Sequence, residues 1–438
     1  MKRVLIISPC FPPVNSADMH RIRQGLPYFE EFGWEPVIIT VDEKFIEAYS
    51  LDPLLAHTVP SGTRVYKIGA FDTKWTKKIG LGSLSLRSYF HFRKKGDELL
   101  RTGKFDLIYF STTAFHVMAL GPRWKKKFGV PFILDIQDPW RNDFYLDKPR
   151  SERPPKFFIS YNIDKYLEAY TVPRADGIIS VSQAYCDSFL HRYPGLRKDQ
   201  CKVIAFGASP FDFEVTDKYI GHSDKASFDP DKINVVYIGR GGHDMQFALE
   251  IIFGAFAKGL TEQPSFFSKI HFWFFGTSYA PPGTGRQTVK PVADQFKVGG
   301  YVTEITDRLP YFESLFLLKK ADILLVPGST DTAYTASKIY PYILARKPLL
   351  AVFHRKSSVV DFLKAIRSGK VMVFDHEEKT ADSYIDEFLP AFLDVAAHAK
   401  EQTPADPALF EPYTAKARTK EQVIFFNDII ISSAAGQY

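Results

Sequence analysis

Residues 334–353 read Y-T-A-S-K-I-Y-P-Y-I-L-A-R-K-P-L-L-A-V-F, so Ser337 and Lys338 open a helix expected over 336–345, ahead of Lys347-Pro348 and an apolar strand. The first turn of a helix carries unpaired N–H groups and the positive end of a dipole, and a lysine there adds a full charge. That is an anion site. A second one is offered by Ile238-Gly239-Arg240-Gly241-Gly242-His243-Asp244, a glycine-rich turn between a strand and a helix. Such a turn aims backbone N–H groups at a phosphate, and Arg240 supplies the charge.

Carboxylates come next. In Phe132-Ile-Leu-Asp135-Ile-Gln-Asp138-Pro-Trp-Arg141, Asp135 and Asp138 lie at the carboxyl end of an expected strand. Asp138 could position a hydroxyl or accept its proton; an aspartate before proline is equally a turn cap. The loop over residues 8–21 follows another buried strand and brings Asn15, His20 and Arg21 to the start of an amphipathic helix. His20 and Arg21 there read either as substrate contacts or as surface residues of a first turn. His116, after Ser111-Thr-Thr-Ala-Phe, reads as a neighbour of this site or as a satisfied structural histidine.

No metal site is expected. Asp229-Pro-Asp231 lies in a polar stretch and reads as solvated surface. Cys10, Cys186 and Cys201 are far apart with no Cys-x-x-Cys spacing, so they read as reduced core residues.

The elements that must position these residues alternate. Apolar runs at 4–8, 35–40, 64–68, 107–110, 132–135, 177–180 and 202–205 are separated by helix-length amphipathic segments. The pattern restarts at 234–238, 271–275, 297–302, 323–326 and 348–352. This alternation predicts α/β architecture, two doubly wound Rossmann-like units with ligands outside the carboxyl ends of their strands. The expected division is 1–215, a polar linker over 216–232, a second unit over 233–412, and a last helix from 413.

The chain has 438 residues, 45% hydrophobic and 24% charged, with a formal net charge of +6. That length suits two domains, each with its own core. The mild basicity fits anionic small ligands or an anionic membrane surface, and no nucleic-acid-binding motif is present. No run of eighteen apolar residues and no cleavable leader pattern occurs, which leads to the expectation of a cytoplasmic protein. Residues 74–95 interleave basic with aromatic and aliphatic side chains. They suit either a segment resting on anionic lipid or a solvated helix face.

The order of these motifs resembles that of two-domain GT-B glycosyltransferases, most closely the retaining family 4. The similar features are Phe11-Pro-Pro13, the Asp135 to Trp140 segment, the Gly239-Arg240 turn, Gly276-Thr277, Gly300-Tyr301, Ala321-Asp322 with its strand, and Ser337-Lys338. The resemblance implies two domains facing across a cleft and a last helix returning to the first domain. It implies that Arg240, Gly241, Gly242, Ser337 and Lys338 hold the diphosphate of a nucleotide sugar. Gly276, Thr277, Tyr301, Asp331 and Thr335 would surround its sugar or nucleotide. Asn15, Arg21, Asp135 and His116 would lie on the acceptor side, with Asp138 or His20 orienting the acceptor hydroxyl. No cofactor is implied beyond the nucleotide sugar as co-substrate, and the acceptor would be a glycan or a lipid-linked glycan.

The chain departs from that family at three places. Asn15-Ser16 stands where a Gly pair is expected, and Asp244-Met245 where a second cation is expected. Ala333 and Pro341 replace both members of a Glu-x7-Glu pair. Losing the ribose-binding carboxylate removes about 1.5–3 kcal/mol of charge-assisted hydrogen bonding. A non-catalytic module that binds nucleotide or glycan therefore stands beside the transferase reading. A nucleotide-sugar epimerase would need acid and base groups clustered near Lys338, and the sequence shows none there.

Overall fold

The structure is a computed structural model that describes residues 1–47, 51–76, 82–146, 148–154, 157–331 and 339–435. Ser337, Lys338 and Thr335 lie outside the described residues. The chain divides into two compact units, Met1–Gly207 with Ala415–Tyr438, and Ala208–Thr414.

In the first unit, β1 (Lys2–Ile7), β2 (Trp34–Val41), β3 (Arg64–Ile68), β4 (Leu107–Ser111), β5 (Phe132–Ile136), β6 (Gly177–Ser180) and β7 (Cys201–Val203) form one parallel sheet. Its order is β3-β2-β1-β4-β5-β6-β7, which reverses direction between β1 and β4. The continuous apolar run of β1 is what a strand covered on both faces needs. Alternate residues divide accordingly. Leu5 and Ile7 join one core with Phe110 and Trp124, while Val4 and Ile6 join another with Tyr109, Phe425 and Phe426.

The last helix, Ala415–Ala435, thus completes the core of the first unit and packs along His20–Phe29. Phe426 is its anchor, with ring centroids 5.0 Å from Tyr109 and 5.4 Å from Trp34.

In the second unit, β8 (Ile233–Ile238), β9 (Ile270–Phe275), β10 (Val302–Ile305), β11 (Ile323–Pro327), β12 (Leu349–His354) and β13 (Lys370–Phe374) form a parallel sheet of order β10-β9-β8-β11-β12-β13. Here the direction reverses between β8 and β11. Both sheets are therefore doubly wound, and each has one switch point.

Three expectations need correction. Residues 297–302 are not a strand: Gly299–Tyr301 form a 3-10 turn, entered through Lys297 at φ 60°, and β10 begins only at Val302. β13 was not expected, because Lys370–Phe374 is a partly exposed run rather than a buried apolar one. The segment expected as linker from residue 216 begins inside a helix, Pro210–Tyr219, which is started by Pro210 and anchored by buried Phe213 and Val215. Only residues 220–232 are irregular.

Candidate functional site

In an open parallel sheet the crevice lies outside the carboxyl ends of the strands, at the switch point. In the first unit that place is the β1/β4 junction, and the loop after β1 is tied into it by Asp18. Ser16 Oγ donates to Asp18 Oδ1. Asp18 Oδ2 accepts from Thr112 Oγ1 at 2.9 Å and Thr113 N at 3.0 Å, just beyond β4. Gln137, beyond β5, donates to the Asp18 carbonyl at 3.1 Å. Sequence reasoning missed Asp18, although a Ser-x-Asp just before a helix is a recognisable helix-start signal.

Beneath this loop lies a buried ion pair. Arg21 Nε is 2.9 Å from Asp135 Oδ2, and Arg21 Nη2 donates to the Ile204 carbonyl at 2.7 Å. Asp135 also accepts from Ser111 Oγ at 2.7 Å and Gln137 Nε2 at 2.8 Å. Arg21 and Asp135 were expected on the acceptor side. With Asp135 fully buried and Arg21 7% exposed, both are instead committed to holding the first helix against β5 and the chain after β7.

Asp138 is exposed, one turn beyond that network. The protein around it and, secondarily, the charge on Asp18 push its carboxyl above the ordinary carboxylate range. His20 is half-buried at the start of the first helix, and Asn15 is half-buried in the loop before it. Arg23 Nη2 lies 3.0 Å from His20 Nδ1. Arg23 can only donate, so the neutral His20 ring carries its proton on Nε2 and presents a donor there. His116 is held on both sides, Nδ1 at 2.6 Å from Ser85 Oγ and Nε2 at 3.0 Å from Asp164 Oδ1. It joins the helices Leu84–Thr102 and Phe157–Thr171, which is the structural role considered for it.

In the second unit the β8/β11 switch point gathers the turns after four adjacent strands. Arg240 follows β8, and both its terminal nitrogens bind Asp244, at 2.9 Å and 2.6 Å. Ser329, beyond β11, donates to Asp244 Oδ2 at 2.5 Å, and Thr330 N donates to the Asp244 carbonyl at 2.8 Å. The Arg240 guanidinium, first, holds the Asp244 carboxyl below its usual range. Gly241 N donates to the Thr277 carbonyl at 2.8 Å, and a Cβ on Gly241 would fall 2.3 Å from Thr288 Oγ1, so a side chain there would have to displace Thr288. Gly276, with φ +69°, turns the chain after β9 in the left-handed region.

Thr277 is buried and donates to Glu304 Oε1 at 2.7 Å. Its side chain supports the turn. Glu304 in β10 also accepts the N–H groups of Thr288, Val289 and Lys290 at 3.0, 3.0 and 2.8 Å. It caps the helix Lys290–Gln295 and fixes Thr277 in one stroke. Glu304 too was missed; a lone acid within the apolar-alternating V-T-E-I strand was the available signal.

Asp331 is exposed and donates its N–H to Ser329 Oγ at 2.9 Å. Tyr301 is misplaced by the sequence reading. It precedes β10, at the amino end of the strand, with its ring 5.3 Å from Phe256. The residues after β10 take that position instead: the Thr306 carbonyl accepts from Ser278 N at 3.1 Å, and Asp307 Oδ1 from Gly283 N at 2.9 Å. Arg308 lies over the Tyr279 ring at 4.9 Å.

Among the described residues, His354, Asp375 and His376 place possible ligand atoms within 4.8 Å of one another. His354 and Asp375 are already engaged by neighbouring groups. Lys356 N donates to His354 Nδ1 at 3.2 Å, leaving the proton on Nε2, and Arg355 Nε is 2.6 Å from Asp375 Oδ2. The group is an ion-paired edge of the sheet. The three cysteines carry no disulfide, with Cys10 and Cys186 buried and Cys201 half-buried. No described helix is long and apolar enough to cross a membrane.

No family model matches the chain, and no curated protein matches it. Solved structures do. The N-terminal domain of Candida albicans trehalose-6-phosphate phosphatase is similar at TM-score 0.59 and 13% identity, over 98% of this chain and 97% of that one. A glycosyltransferase from Rickettsia africae is similar at TM-score 0.55 and 14% identity, over 98% of both chains. Anabaena HepE in complex with UDP and glucose is similar at TM-score 0.50 and 14% identity, over the whole of both. At such identities the likeness concerns the fold, and with two doubly wound parallel sheets of seven and six strands that fold is GT-B, two Rossmann-like domains.

Proposed function

We propose that the protein is a glycosyltransferase that moves a sugar from a nucleotide diphosphate sugar to a hydroxyl of a glycan or lipid-linked acceptor. The observation that carries this reading is Arg240, held at the switch point of the second sheet by Asp244, which Ser329 anchors in turn, beside a turn in which a Cβ at position 241 would meet Thr288 Oγ1. A guanidinium oriented before the ligand arrives stabilises charge that builds on a leaving diphosphate without reorganisation. Lys338 would add a second cation from the sequence that follows β11. The transfer would be metal-independent, hexosyl in type and retaining, as for the family that the sequence resembles. Asp138 would position or deprotonate the acceptor hydroxyl, with His20 as the other group that could orient it. The setting would be cell-surface polysaccharide or glycoconjugate synthesis in the cytoplasm, at the inner face of the membrane.

Solved structures of the same fold include a protein described with UDP and glucose, which supports a nucleotide sugar as the ligand to try first. A second reading is a non-catalytic module that binds nucleotide or glycan in an assembly complex. It is favoured by Asp244, which offsets the charge of Arg240, and by Ala333 and Pro341 in place of two glutamates.

The test is thermal stabilisation by a panel of nucleotide diphosphates and nucleotide sugars, followed by transfer or hydrolysis assays with each hit. A ligand that binds only the folded state must raise the Tm. A shift with turnover supports the transferase, and a shift without turnover supports the module. The absence of any shift overturns the transferase and leaves only a module that binds glycan.

A further inference from the structure

We infer that the first unit carries a docking surface for an anionic phospholipid bilayer, built from the turn at Phe71–Trp75 and the outer face of the helix Leu84–Thr102. Three aromatic rings stand out from it: Trp75 is 73% exposed, Phe90 58% and Phe71 49%. Two of them pack together, and Trp75 lies four residues beyond Phe71 in the same turn. Phe71 and Phe90 have ring centroids 6.4 Å apart, and backbone and side-chain bonds from Arg87 fasten the Phe71 turn to the helix, the side-chain bond at 2.8 Å. Water-exposed rings grouped in this way mark an interaction surface.

The cations sit beside the rings at helical spacing. Phe90, Arg93, Lys94 and Arg101 follow one face of the helix, and the three cations make no ion pair among the described residues. The acids nearby are already neutralised: Asp97 by Arg123 at 2.9 Å and Lys127 at 2.8 Å, Glu98 by Lys95 at 2.7 Å. The face is therefore positive as well as aromatic. Long cationic stems without fixed partners suit a diffuse negative surface, whereas a site for one protein carboxylate would orient them through buried acceptors. Aromatic rings at headgroup depth with lysine and arginine around them are the chemistry of an interfacial helix.

This inference rests on the glycosyltransferase reading only in what the bilayer would bring within reach, a lipid-linked acceptor. Its test needs no transfer. The full chain is floated with vesicles of phosphatidylcholine alone and with vesicles of phosphatidylcholine and phosphatidylglycerol in equal amounts, across a salt series. Flotation is expected with the anionic vesicles, weakening as salt rises. Arg93→Ser and Lys94→Ser should each weaken it about fivefold. Trp75→Ala with Phe90→Ala should remove the binding that persists at high salt. All four positions are exposed, so the variants should keep the wild-type Tm and any nucleotide-dependent shift, which belongs to the other unit. Wild-type protein that ignores anionic vesicles overturns the inference. So does flotation unchanged in the fourfold variant, or binding to an acidic protein or RNA that depends on the cations but not on Trp75 and Phe90.

Discussion

Asp244 grips Arg240 end-on, Oδ1 to Nη1 at 2.9 Å and Oδ2 to Nη2 at 2.6 Å, and the same carboxylate reaches across the switch point to Ser329. Asp18 does the corresponding work in the first sheet, reaching from the loop after β1 to Thr112 and Thr113 after β4. In each unit an aspartate closes the junction where a ligand crevice opens.

The Arg240 pair has two opposite effects on an incoming diphosphate. Asp244 orients the guanidinium, which helps, and cancels part of its charge, which does not. Asp244→Asn keeps a hydrogen-bonding group and removes the charge, so nucleotide affinity at neutral pH should rise about fivefold, on the order of 1 kcal/mol for one nearby charge in a half-exposed site. Arg240→Ala should abolish the nucleotide-dependent Tm shift. Titration calorimetry on both variants checks this; equal affinities in wild type, Asp244→Asn and Arg240→Ala would place the anion elsewhere.

Glu304 makes the glycine turn rigid at one remove. Its carboxylate satisfies three backbone N–H groups and Thr277, whose carbonyl in turn holds Gly241. Glu304→Ala leaves those buried donors without acceptors and should cost about 3 kcal/mol. Glu304→Gln retains an acceptor and should cost less. Denaturant unfolding gives the stabilities, and nucleotide titration of the folded variants should show weaker binding in the same order.

The sheets were legible because strands buried on both faces are written as unbroken apolar runs, as in Val4 to Ile7. Arg240 was legible for a local reason, a cation inside a glycine turn after such a run. What the sequence concealed depends on partners far along the chain. Asp135 looks like a site acid until Arg21 is found 2.9 Å away, and Glu304 caps a helix that begins fourteen residues before it. Tyr301 was misjudged because the Val298-Gly-Gly-Tyr-Val302 stretch was read as strand, which moved the tyrosine from the amino end of β10 to its ligand side.

The Arg21–Asp135 pair makes a stability prediction independent of function. Both charges are buried, so removing one strands the other in a region of low dielectric. Arg21→Met should cost about 3–5 kcal/mol, and Arg21→Met with Asp135→Leu should recover much of that loss. Recovery should be partial, because Ser111 and Gln137 lose an acceptor in the double variant. Urea unfolding of the single and double variants measures the coupling, and simple additivity of the two changes would contradict a direct ion pair.

Asp138 links the site to pH. Its carboxyl is raised above 3.8 by the protein around it and then by Asp18. The folded state therefore holds this proton more tightly than the unfolded state. That contribution to stability is fully present below pH 3.8 and is lost as pH rises through the higher folded value. Asp138→Asn should accordingly be more stable than wild type at neutral pH, with the gap closing on acidification. If Asp138 takes the acceptor proton, kcat/KM in the wild type should fall on the acid side along a limb lying above pH 3.8. Asp138→Asn should lose that limb and about 10²- to 10⁴-fold in rate. Asp18→Asn removes one of the two causes of the shift and should move the limb to lower pH. A carboxylate that merely caps the turn before Pro139 would alter the melting curve and leave the pH–rate profile in place.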